Sequence, residues 1–142
     1  MSSFATLPAA ERRLLVEQVA ARQGVVSVIV EKDFWVCWLL GRIFATDATA
    51  PHVVFKGGTA LFKVFGVIDR FSEDIDLSVS PASLGIAEAE LDDAPSASQR
   101  AKRVATLAER CTARVREQFQ PALEAAIAAL LGPARASASW LE

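Results

Sequence analysis

Asp74 and Asp76, separated by one residue, lie a short distance after the paired glycines Gly57 and Gly58. Two close carboxylates suit a hard divalent cation, and a diglycine turn lets phosphate oxygens approach the backbone. Asp74, Asp76 and Ser78 alternate with Ile75, Leu77 and Val79, the period-2 pattern of a strand with one buried and one open face. Both aspartates therefore look out from the same side, their roots about 6.6 Å apart along extended backbone. That spacing is short enough for the two side chains to grip one or two cations.

The upstream half reads as strand, turn and helix. His52 to Phe55 is apolar and β-branched, Gly57 and Gly58 break it, and Thr59 to Phe65 has helical character. A helix start offers unpaired N–H groups and the positive end of a dipole to an anion. Thr59 adds a hydroxyl to this cradle. Lys63, one turn further on the same face, is placed to reach a terminal phosphate. Arg70 and Ser72 precede the aspartates and would contact phosphate or fix the loop. Each feature alone has an ordinary structural explanation; their order and spacing together point to one nucleotide-and-metal site.

The same residues carry a family resemblance. GGTALFKVFG, RFSEDIDL and the upstream EKDFWVCWLL, covering about residues 28–80, resemble the AbiEii/AbiGii nucleotidyltransferase-like toxins of type IV toxin–antitoxin systems. The resemblance implies an α+β chain with a DNA polymerase β-like nucleotidyltransferase fold. It implies Asp74 and Asp76 as metal ligands for Mg2+ or Mn2+, and Gly57, Gly58, Thr59 and Lys63 at the nucleoside triphosphate. An RNA acceptor such as tRNA and an antitoxin protein are the partners it suggests. Enzymes of this type place a further acid on a later strand, and no such strand is legible after Ser80. The resemblance thus implies the amino-terminal part of a longer pattern, read as one domain over residues 1–142. A phosphotransferase on the same scaffold, or a non-catalytic module holding nucleotide or antitoxin, are the alternatives.

The remaining elements must position that unit. Leu7 to Arg22 reads as an amphipathic helix with Leu7, Leu14, Leu15 and Val19 inward, stopping near Gly24. Val28 to Ala45 has apolar residues around most of its circumference and reads as a largely buried helix. Its Lys32 and Asp33 lie at the polar start, where an ion pair or an approach to the cleft would each account for them. Residues 81–97 read as a loop, followed by a helix from near Ser98 that Pro121 should kink or restart. Val104, Ala108, Cys111, Val115 and Phe119 form its expected apolar stripe. Arg100, Arg103, Arg110 and Arg114 share a neighbouring arc, suited either to nucleic acid or to covering the core edge with their stems.

Composition restricts the function classes. A net charge of −2 argues against a protein coated in basic surface. Much of the 52% hydrophobic fraction is alanine in helical stretches, and no apolar run approaches the roughly 20 residues that cross a bilayer. Cys37 and Cys111 have no metal-ligand spacing and fit free thiols in a reducing cytoplasm. The lone His52 fits a structural role. With two legible strands the sheet is small, so an exposed edge is expected, completed by a further part of the protein or by a second copy.

Overall fold

A computed structural model describes residues 2–64, 74–86 and 96–132. The chain is mostly helical with a small antiparallel sheet, an α+β arrangement. Helices α1 (Ser2–Ala5), α2 (Ala9–Gln23) and α3 (Ser27–Ile43) lead into strand β1 (Val53–Lys56) and helix α4 (Gly57–Lys63). Strand β2 (Asp76–Val79) pairs with β1, and helices α5 (Ala97–Arg114) and α6 (Gln120–Leu131) complete the described residues.

Helix boundaries follow local chemistry. Gly24 closes α2 in the left-handed conformation, at φ 68°, where a side chain would be strained. The Ser96 hydroxyl accepts a hydrogen bond from the Gln99 amide and so caps α5. Between α5 and α6 the backbone runs as a π-helical segment, Val115–Phe119. The discontinuity expected at Pro121 thus falls just upstream of it, because proline in the first turn of α6 has no amide to donate back.

The core lies between α3, one face of the sheet and the α5–α6 junction. Ile43, Val53 and Phe119 are buried together, with Leu39, Ile75, Leu77, Val79 and Leu123 packed against them. His52 stacks on Phe119 with ring centroids 6.2 Å apart, a structural position as expected. Phe4, Phe34, Trp35 and Trp38 form an aromatic row along α3, and Trp38 is buried.

Two helical faces differ from the sequence reading. In α2 the buried residues are Val16 and Ala20, whereas Leu14, Leu15 and Val19 are exposed. The helix meets α3 through small side chains that allow close approach, and Arg12 lies over the Trp35 ring. In α5 the half-buried positions include Arg103, Leu107, Cys111 and Arg114, whereas Val104 is exposed. That face turns toward a 3-10 segment, Pro81–Leu84, which occupies the start of the expected loop. Cys37 and Cys111 are free, and no helix among the described residues is long and apolar enough to cross a membrane.

Candidate functional site

The two-stranded register sets which side chains share the open face. Val53 pairs with Val79 and Phe55 with Leu77; Val53, Leu77 and Val79 pack in the core, and strand parity puts Phe55 on the same face. Val54 pairs with Ser78 and Lys56 with Asp76, which places them on the opposite face. Asp74 and Asp76 are both exposed, while the intervening Ile75 packs against the core. The alternation read from the sequence is therefore the alternation of the fold.

The glycine turn abuts this face. Gly57 adopts φ 79°, and a Cβ built on it would lie 1.9 Å from Oδ2 and 2.7 Å from Cγ of Asp76. Only a residue without a side chain allows the Asp76 carboxylate to lie across the start of α4. Thr59, fully buried, donates its hydroxyl to the backbone carbonyl of Asp74 at 2.5 Å. This hydroxyl ties α4 to the backbone of Asp74. Its burial gives the reason, since a buried hydroxyl needs a nearby acceptor.

Lys63 has a partner within the fold. Its ammonium donates to Asp33 of α3, forming a half-buried ion pair between residues 30 apart in the chain. Partial burial opposes the charge, but the Asp33 and Cys37 hydrogen bonds outweigh that effect and raise the lysine pKa above its ordinary value. Of the two explanations for Asp33, the ion pair is the one the fold uses. Arg70 and Ser72 lie outside the described residues.

The donor set suits one kind of cation. The Asp74 and Asp76 side chains accept no hydrogen bond and form no ion pair with the described residues. No group of three or more His, Cys, Asp or Glu side chains converges among the described residues. Magnesium commonly uses one or two carboxylates and completes its octahedron with water and substrate phosphate oxygens. Two unpaired carboxylates beside a glycine turn fit that pattern.

Sequence reasoning ended the first strand at Phe55 and passed over Lys56. The signal was present, since continuing the alternation of Val53 and Phe55 puts Val54 and Lys56 together on the open face. The arginine arc of α5 is largely engaged within the fold. Arg110 donates to the carbonyls of Leu84 and Gly85, at 3.1 and 3.3 Å, and Arg114 donates to Ser83 and Gln118.

Comparison with known protein families places the chain. The family model described as nucleotidyl transferase AbiEii toxin, type IV TA system, matches residues 38–135. That span contains β1, the glycine turn, α4, β2 and the two carboxylates. No curated protein and no solved structure matches the chain.

Proposed function

Because the chain belongs to the AbiEii nucleotidyltransferase toxins of type IV toxin–antitoxin systems, we propose that it transfers a nucleotide from a nucleoside triphosphate to an RNA acceptor such as tRNA. The observation that carries this reading is the contact between the Gly57 turn and the Asp76 carboxylate. It brings the glycine-turn backbone and two acids without a partner among the described residues to one face, where a metal and a triphosphate would be held. The family further implies a polymerase β-like fold, for which β1, the turn, α4 and β2 would form the nucleotide-binding unit.

In this mechanism Asp74 and Asp76 would hold Mg2+, and the amides of the glycine turn would receive phosphate oxygens. When bound, the metal supplies charge neutralisation to the triphosphate and to the departing pyrophosphate. A ribose hydroxyl of the RNA forms a new bond to the α-phosphorus in line with the bond that breaks, and pyrophosphate leaves. Gly57 holds the Asp76 carboxylate in place, and Thr59 holds the Asp74 backbone. An antitoxin partner and a cytoplasmic setting accompany this reading.

The test is incubation of the chain with total tRNA, magnesium and each α-labelled triphosphate in turn. Label entering RNA with release of pyrophosphate is expected, and Asp76→Asn should abolish it with the melting temperature nearly unchanged. The lack of a third acid among the described residues favours a second reading, a module that binds nucleotide without turning it over. Calorimetric binding of a triphosphate without labelling of any acceptor would select it.

A further inference from the structure

The open face of the sheet contains two exposed acids and one exposed lysine, and the lysine is not the one that the sequence singles out. Lys56 stands directly opposite Asp76 in the β1–β2 register and immediately before Gly57. Val53 on β1 and Leu77 on β2 face the core, so strand parity puts Lys56 on the carboxylate side. Its side chain forms no hydrogen bond or ion pair with the described residues.

Lys63 is placed differently. It closes α4, about 9 Å along the helix axis from Gly57. Its ammonium is held by Asp33, with Cys37 one turn further along α3 as a second hydrogen-bond partner. Moving it to a phosphate would break a half-buried ion pair, which leaves Asp33 without its counter-charge. Lys56 can move without breaking any comparable contact. A lysine on a four-carbon stem is a compact, mobile charge suited to following phosphate oxygens.

Resting on the nucleotide-binding reading above, we propose that Lys56 is the cation that contacts the substrate's triphosphate, while Lys63 clamps α4 to α3. Lys56 then meets the non-bridging oxygens from the β1 side as the acids meet the metal on the same face. The contact is made directly to phosphate and persists without a cation bound to the acids.

Equilibrium binding of ATP, GTP, CTP and UTP to the full chain, each in magnesium and in EDTA, tests the assignment together with melting temperatures. Lys56→Gln should weaken triphosphate binding about tenfold or more in both conditions, the effect of losing a charged hydrogen bond. Its melting temperature should stay at the wild-type value, and Lys56→Arg should recover most of the affinity. Lys63→Met should lower the melting temperature while leaving the dissociation constant within about twofold. If the wild-type chain binds a triphosphate and Lys56→Gln binds it equally well, Lys56 merely neutralises Asp76 and the assignment fails. Loss of binding in Lys63→Met at unchanged melting temperature also overturns it. A wild-type chain that binds none of the four triphosphates would instead remove the nucleotide-binding reading on which the assignment stands.

Discussion

The Cα of Gly57 lies against the carboxylate of Asp76, so close that a methyl group on the glycine would sit 1.9 Å from Oδ2. Gly57→Ala therefore combines two penalties. A left-handed alanine costs about 1–2 kcal/mol, and Asp76 must move aside as well. Gly24→Ala, with a similar φ of 68° but nothing within 4 Å of its added carbon, isolates the first. Urea unfolding should give a larger loss for Gly57→Ala than for Gly24→Ala. Equal losses would mean that Asp76 is not constrained by the turn.

Thr59 tests whether the site depends on a buried tie. Thr59→Val keeps the shape but leaves the Asp74 carbonyl without this donor, which should cost about 1–3 kcal/mol. Thr59→Ser retains the hydroxyl and should lose less. Chemical denaturation of the two variants distinguishes the hydrogen bond from simple packing, because a packing role alone would reverse their order.

The Lys63–Asp33 pair predicts a dependence on alkaline pH. The folded-state pKa of Lys63 lies above the ordinary lysine value of 10.5, so the pair's contribution is fully present below that value. It is lost as pH rises through the folded-state pKa. Stability of the wild-type chain should therefore fall through this alkaline range. Asp33→Asn should lower stability at neutral pH and flatten the alkaline decline, as read from melting temperatures across the range. An unaltered alkaline slope in the variant would show that the ion pair does not carry it.

Arg110 and Arg114 act as struts by the same logic. Their guanidinium groups hold carbonyls of residues 83–85, at the end of the Pro81–Leu84 segment. Replacing both with alanine should release that segment, at a cost of about 1 kcal/mol for each hydrogen bond lost. Limited proteolysis should cut more rapidly near residues 81–86. Weakened tRNA retention without faster cleavage would instead assign the arginines to nucleic acid.

Local periodicity made the central unit legible. The alternation through Asp74–Val79 gave both the strand and its open face, and the break at Gly57 gave the turn. Pro121 announced a disturbed helix, although its form as a π segment was not readable, because that depends on how Phe119 enters the core. What the sequence hid was tertiary. Nothing local distinguishes a Lys63 that reaches phosphate from one that reaches Asp33, or a Thr59 facing a ligand from one facing a carbonyl. The α2 face failed for a related reason. Leu14, Leu15 and Val19 have helical spacing, but close packing on α3 selected Val16 and Ala20. Lys56 was missed through a strand boundary set one residue short.

Because strand parity alone keeps Asp76 off the core face and Leu77 on it, the pairing of this sheet has an all-or-none tolerance. Sliding β2 by a single residue against β1 would turn Asp76 inward and Leu77 outward, so core and site would fail together. An odd-numbered insertion inside Asp76–Val79 would have the same effect. Evolution or engineering can thus edit this strand only in steps of two.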